Sequence, residues 1–305
     1  MKRALCLILI CMFLLAGCQH QSRQTVFAMD TVMDLQIWGA DSEKAMEEVR
    51  TLLAELERTW SAQDEASDLS ALNRGEQIPD RTLLDRVQAL SERTGGAFDP
   101  RLYALTSLWG FGTQAHRVPA RQELEQALQT RLWDLGGAVK GYAGQQAAER
   151  LQTMDVSHAI LNLGGNIQTY GNKPDGTPWS IAIQAPAGGD PLGVVSVVGT
   201  MSVVTSGDYQ RYFEKDGVRY HHILDPETGM PAQSGLSSVT VICRDGLTAD
   251  CLSTALFVMG LEEGTQFWRQ SDDFEAVFVA ADGRIYATEG AALSGCEYEV
   301  ITREN

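Results

Sequence analysis

Between Ser206 and Pro231 the chain reads SGDYQRYFEKDGVRYHHILDPETGMP. Lys215-Asp216-Gly217 separates two runs of strand-forming residues, Arg211–Phe213 and Val218–Ile223. An Asp-Gly pair at such a point favours the tight turn of a β-hairpin. A hairpin holds its two ends together. The polar turn Ser206–Asp208, which closes the apolar run Met201–Thr205, must therefore face the same space as the turn from His222 to Thr228. Two polar turns set side by side by strand pairing make a site rather than a packing surface. Side chains alternate along a strand, so His221 and His222 point to opposite faces.

The N-terminus carries a different kind of signal. Lys2 and Arg3 precede an unbroken apolar run from Ala4 to Ala16, too short to span a bilayer and the right length for a signal-peptide core. It ends in Leu15-Ala16-Gly17-Cys18, which resembles a bacterial lipobox, with cleavage after residue 17 and a lipid on Cys18. The expected organisation is a signal peptide at 1–17, a polar tether at 18–25 and one folded domain at 26–305. The protein is thus expected outside the cytoplasm, held to the membrane by its lipid. Loss of residues 1–17 moves the net charge from −16 to −18. So acidic a chain offers no basic stripe for phosphate backbones, which excludes nucleic acid as a partner. Of six cysteines, Cys243, Cys251 and Cys296 remain beyond the lipobox, with no CxxC spacing; they form neither a disulfide framework nor a zinc site. Cys243 and Cys251 lie in apolar surroundings and read as small core residues.

Along the rest of the chain, residues 26–38 alternate as a first strand. Ser42 opens an amphipathic helix to Arg58 with Met46, Val49, Leu53 and Leu56 on one face. A second helix, Arg81–Thr94, stops at Gly95-Gly96. Strands are expected at Ala159–Leu163, Trp179–Ala185, Val194–Val198 and Met201–Thr205, the last two pairing around Gly199-Thr200. Ser238–Cys243 is a strand, and Phe274–Ala280 with Arg284–Thr288 forms a terminal hairpin around Asp282-Gly283.

Two further stretches carry chemistry. In WDLGGAVKGY (133–142) a strand end turns through glycines into a helix, exposing free N–H groups suited to an anion, and Lys140 adds a point charge. Packing is the alternative use of such a turn. In LTADCLSTAL (247–256) a helix opens in which Asp250, Ser253 and Thr254 share one face. An acidic residue in a first helical turn also suits the helix dipole. A carboxylate, a hydroxyl and a backbone carbonyl nevertheless make a hard-oxygen set fit for Mg²⁺.

Taken together, Ser206-Gly207-Asp208-Tyr209, His222-Ile223, Asp225-Pro226, Thr228-Gly229-x-Pro231, Asp134-x-Gly136-x-x-x-Lys140-Gly141-Tyr142 and Ala249-Asp250-x-x-x-Thr254-Ala255 resemble the signature of the ApbE family, FAD:protein FMN transferases. Met29-Asp30-Thr31 matches the family's Met-Gly-Thr except at Asp30, and Gln63 stands where the family carries an aromatic residue, with Trp60 nearby. Ala97-Phe98-Asp99-Pro100, Leu108–Gly112 and Gly164-Gly165-Asn166 are similar to further family segments. The resemblance covers roughly residues 26–290. It implies an α+β fold: a single two-lobed ApbE-like domain with mixed and antiparallel sheets and packed helices.

It also implies the activity, Mg²⁺-dependent transfer of FMN from FAD to a Thr or Ser hydroxyl of an acceptor protein with release of AMP. In that scheme Met29, Gln63, Ala97, Phe98, Asp99, Asp134, Lys140 and Ile223 bind FAD, and Asp250, Thr254 and the Gly137 carbonyl hold the metal. His222 is the base, since an imidazole titrates near neutral pH. The acceptors it implies carry a flavinylation motif and belong to membrane redox complexes. The alternatives are an FAD pyrophosphatase giving FMN and AMP, and a flavin-binding lipoprotein without catalysis.

Overall fold

The structure is a computed structural model that describes residues 20–304 apart from 112 and 114. Cys18 and the expected signal peptide lie outside the described residues.

The chain opens in a hairpin, β1 (Gln21–Ala28) and β2 (Thr31–Trp38), in unbroken register from Gln21 opposite Trp38 to Ala28 opposite Thr31. Two expectations change here. The span 26–38 is a turn between two strands rather than one strand, because Met29 and Asp30 both hold positive φ, at 50° and 57°. That is the two-residue hairpin geometry in which Gly or Asn is usual, and Asp tolerates it. Strand β1 also takes in Gln21–Gln24, polar residues expected as tether; along an edge strand they meet water on their outer side.

Helix α1 (Ser42–Trp60) follows, then α2 (Asp68–Asn73), α3 (Thr82–Arg93), α4 (Tyr103–Trp109), α5 (Arg121–Gln129) and α6 (Val139–Leu151). Strands β3 (His158–Asn162) and β4 (Asn166–Tyr170) return to the first sheet. After them come β5 (Trp179–Ile183), β6 (Gly193–Val197), β7 (Ser202–Gly207), β8 (Tyr212–Lys215), β9 (Val218–His221) and β10 (Leu236–Cys243). Helix α7 (Gly246–Arg269), β11 (Phe274–Ala280), β12 (Ile285–Thr288), β13 (Leu293–Ser294) and β14 (Glu299–Ile301) complete the chain.

The main sheet has nine strands in the order β1-β2-β3-β4-β7-β10-β11-β12-β14. Its pairs are antiparallel except β12 with β14. Met33, Leu35, Ile37 and Leu161 send one face of the sheet against α1 and α6, and Val204, Val239 and Val241 continue that face under α7. Ile160, Val203, Ile242 and Val277 face the opposite way, against the small sheet β13-β6-β5. A further apolar cluster joins α3 and Trp60 to Leu247, Cys251 and Ala255 on the outer side of α7. The helices α2–α5 thereby form a second lobe within one α+β domain. No helix among the described residues is long and apolar enough to cross a membrane.

The expected pairing of Val194–Val198 with Met201–Thr205 does not form. Strand β6 pairs with β5 and β13, while β7 lies between β4 and β10. The turn is pulled apart by Thr169, whose hydroxyl donates to Gly199 O at 2.7 Å and accepts from Met201 N–H at 3.0 Å. Both faces of β7 are buried, at Val203 and Val204, so it needs a partner on each edge in the sheet centre.

Candidate active site

Helices α6 and α7 cross at two glycines. A Cβ on Gly141 would lie 2.1 Å from Gly246 O and 2.6 Å from Asp250 Cβ, and one on Gly246 would lie 2.3 Å from Gly141 O. Only residues without side chains allow that approach. Its consequence is chemical: the Gly141 N–H donates to Asp250 Oδ2 at 2.8 Å, so a buried carboxylate on α7 caps the first turn of α6. Asp250 therefore does not serve its own helix start as the sequence suggested. Asp245 caps α7, accepting from Thr248 N–H at 2.8 Å, and Asp250 sits in the second turn.

One turn along α7, Thr254 reaches the mouth of the glycine turn. A Cβ on Gly137 would lie 3.4 Å from Thr254 Oγ1 and 3.3 Å from the Phe98 ring. The residues expected to hold a metal thus converge at the junction of the two helices. Ser253, on the same face by spacing, is fully buried and donates to Asp250 O at 2.9 Å. Among the described residues no three His, Cys, Asp or Glu side chains gather into a metal cluster.

Thr254 and Gly137 open onto a cavity of about 1120 Å³ between the helical lobe, the sheet and the β8–β9 hairpin. Its walls include Met29, Gln63, Ala97, Phe98, Asp99, Asp134, Lys140, His222 and Ile223. Gln63 stands on the wall with Trp60 beside it, the aromatic the sequence offered in its place. Asp99 is nearly buried and pairs with Arg131 while accepting from Arg101 N–H at 2.9 Å. Asp134 accepts from Gly136 N–H at 2.9 Å and from the Thr106 hydroxyl at 2.8 Å, which locks the glycine turn. Lys140 Nζ donates to Gly136 O at 3.2 Å, and the residue stands on the cavity wall. Trp109 is core, its indole N–H donating to Gly229 O at 2.8 Å, while Phe111 reaches the cavity.

The two adjacent histidines separate as alternation requires. His221 is buried against Phe257, with Nε2 donating to Ala232 O at 3.0 Å. His222 faces the cavity, and its Nδ1 lies 3.2 Å from Arg211 O. A carbonyl only accepts, so Nδ1 carries the proton and Nε2 presents a lone pair. Desolvation pushes the His222 pKa down to about 3, with the cations of Arg211 and Lys140 adding to the effect. His222 is therefore neutral at physiological pH, the form a base requires. Asp208 is not among the residues lining the cavity: Oδ1 is buried without a hydrogen-bond partner among the described residues, and burial raises its pKa.

Sequence reasoning missed three residues here. Arg211 lines the cavity and donates from its guanidinium to Asp30 O at 3.3 Å, tying the Met29-Asp30 turn to the residue whose carbonyl holds His222. Glu57 holds the same turn by accepting from Met29 N–H at 2.9 Å. Gln184, past the end of β5, closes another part of the wall. Arg211 stands between the two turns that the first hairpin was argued to bring together, and that position was its available signal.

The ApbE family model matches residues 29–278. An FAD:protein FMN transferase of Treponema pallidum is 35% identical over 294 residues, covering 83% of this chain and 81% of the relative. One from Vibrio cholerae is 33% identical over 290 residues, covering 83% and 86%. The crystal structure of the ApbE protein of Thermotoga maritima superposes with a TM-score of 0.82 at 32% identity, over 88% of this chain and 97% of that one. The apo form of the flavinyl transferase ApbE of Pseudomonas stutzeri does so at 0.78 and 32%, over 89% and 95%. By the extent of these matches and by the residues gathered at its cavity, the chain belongs to the ApbE family.

Proposed function

We infer that this protein is an FAD:protein FMN transferase, moving FMN from FAD onto a Ser or Thr hydroxyl of an acceptor protein and releasing AMP. The observation that carries this reading is the single cavity that gathers a neutral, oriented imidazole, the glycine turn with Lys140, and Thr254 with Asp250 behind it. The hydroxyl oxygen attacks the phosphorus on the riboflavin side of the diphosphate. A new P–O bond forms to the acceptor, the bond to the bridging oxygen breaks, and AMP leaves with that electron pair. His222 Nε2 takes the hydroxyl proton; Arg211 O, holding Nδ1–H, keeps the ring in the tautomer that can do so. The cavity is shared by His222 and the Gly136–Lys140 turn, so a diphosphate at the turn lies in reach of the imidazole.

Asp250, Thr254 and the Gly137 carbonyl fit a Mg²⁺ ion: all are hard oxygen donors, only one is a carboxylate, and the Gly141 N–H fixes Oδ2 so that Oδ1 is the oxygen offered. When bound, the ion supplies charge neutralisation for the phosphate oxygens as the transition state forms. Lys140 lends a further positive charge on the same wall. Met29, Gln63, Ala97, Phe98, Asp99, Asp134 and Ile223 hold the flavin end and shape its pocket. Lipidation at Cys18 places the enzyme on the outer side of the cell membrane, within reach of membrane redox subunits as acceptors.

The test is to incubate the mature protein with FAD, Mg²⁺ and an acceptor carrying a flavinylation motif. In-gel flavin fluorescence and AMP are then read together. The expected result is a covalent label on the acceptor with an equal amount of AMP. AMP without any label identifies hydrolysis, and retained FAD without AMP identifies a binding protein; either overturns the transferase reading.

A further inference from the structure

Ser206, the first residue of the Ser-Gly-Asp motif, does not line the cavity, yet it touches the residues behind it. Its Oγ lies 2.8 Å from Ser253 Oγ and 3.3 Å from Thr254 Oγ1. Each hydroxyl has one proton to give, so the direction of these bonds can be derived. Ser253 donates to the Asp250 carbonyl at 2.9 Å, which spends its proton. Ser253 must then accept from Ser206. Ser206, its own proton spent, must accept from Thr254. The chain runs one way, from Thr254 through Ser206 and Ser253 to Asp250 O, and the Thr254 proton points into the sheet.

We propose that Ser206 is a positioning residue which, by taking the Thr254 proton, turns the Thr254 oxygen lone pairs toward the cavity as a cation ligand. This rests on the reading of Thr254 and Asp250 as the cation site. Without Ser206 the Thr254 hydroxyl is free to rotate and present its proton, which repels a cation. The arrangement also couples the two ligands, because the chain ends on the backbone of Asp250. It gives a specific use to a serine at the end of β7, where a hydroxyl facing α7 is otherwise a polar group in an apolar layer.

The experiment is a Mn²⁺ titration of the full-length mature protein, with bound ion read from loss of the free-Mn²⁺ paramagnetic resonance signal. Asp250→Ala marks the site. Ser206→Ala is expected to weaken Mn²⁺ binding about tenfold, the lower end of what outer-shell partners contribute. Ser206→Thr, which keeps the hydroxyl, is expected to stay within about twofold of wild type. Ser206→Cys keeps the volume but offers a poor acceptor; it is expected to weaken Mn²⁺ binding in the same way and serves in place of the alanine variant if the latter folds badly. Thr240→Val removes a comparable hydroxyl pair, Thr205 Oγ1 to Thr240 Oγ1 at 2.8 Å, which joins β7 to β10 one residue before Ser206. It controls for lost stability and should leave the affinity unchanged. Wild-type affinity in Ser206→Ala and Ser206→Cys overturns the role of Ser206 while leaving the transfer reaction standing. Binding in the wild type no tighter than in Asp250→Ala overturns the cation site, and the proposal with it.

Discussion

At the scale of single residues the site is decided by who holds whose proton. His222 is held at Nδ1 by Arg211 O, and its pKa is lowered to about 3 chiefly by desolvation. A histidine lowered on folding binds protons more readily when unfolded. Its contribution to stability is therefore complete above the unfolded value near 6.5 and is lost as pH falls from there toward 3. Replacing it by Gln should flatten the pH dependence of the urea midpoint between those limits, and an unchanged slope would refute the lowered pKa. The same variant should lose label transfer while keeping FAD affinity, as measured by quenching of flavin fluorescence. Asp250 has two separable duties. Asp250→Asn keeps an acceptor for the Gly141 N–H but not the charge, whereas Asp250→Ala leaves that buried N–H without a partner, at a cost of about 1–3 kcal/mol. Both should lose Mg²⁺-dependent turnover by roughly 10²–10³, but only the alanine variant should lose the stability. Equal denaturation midpoints for the two would contradict the capping role.

Among the elements, the α6–α7 crossing and the β1–β2 turn place the site. Gly141→Ala must push Gly246 O back from 2.1 Å and Asp250 Cβ from 2.6 Å. Overpacking of this kind costs about 1–3 kcal/mol or more, and it should abolish turnover, while Gly75→Ala, strained only by its φ of 85° and meeting no neighbour, keeps it. In the β1–β2 turn, Asp30 at φ 57° occupies a conformation that costs an L-residue about 1–2 kcal/mol, part of which glycine recovers. Asp30→Gly, restoring the residue usual in the family, should raise the thermal midpoint slightly; a fall would show that Asp30 is held by something beyond its backbone. Much of this level was legible beforehand. The Asp216-Gly217 turn and helix bounds within two residues followed from local turn chemistry and periodicity, while the gathering of separated motifs was implied only by the family resemblance. The rest depended on non-local contacts. Nothing near Gly199 announces that Thr169 will capture that turn, and nothing in Met29-Asp30, lacking glycine, announces a hairpin. Arg211 matters through Asp30 O, 181 residues away in sequence, a contact that no spacing rule reaches.

For the molecule as a whole, one domain of two lobes keeps the chemistry at their seam, where the helical lobe, the glycine turn and the β8–β9 hairpin meet over the large sheet. The proposed lipid anchor belongs to this scale. Cys18→Ser should move the protein from the membrane pellet to the soluble fraction without loss of transfer to a soluble acceptor; a variant that stays in the pellet would refute lipid anchoring. The central claim is that the two helices, crossing on glycines, bring a carbonyl, a hydroxyl and a carboxylate to one point beside an imidazole. It is tested most directly by anomalous diffraction from crystals of the protein grown with FAD and Mn²⁺. The account predicts one manganese peak bonded to Asp250, Thr254 and the Gly137 carbonyl, with the diphosphate on its open side facing His222. A peak held by other residues, or a diphosphate bound away from that junction, would contradict it.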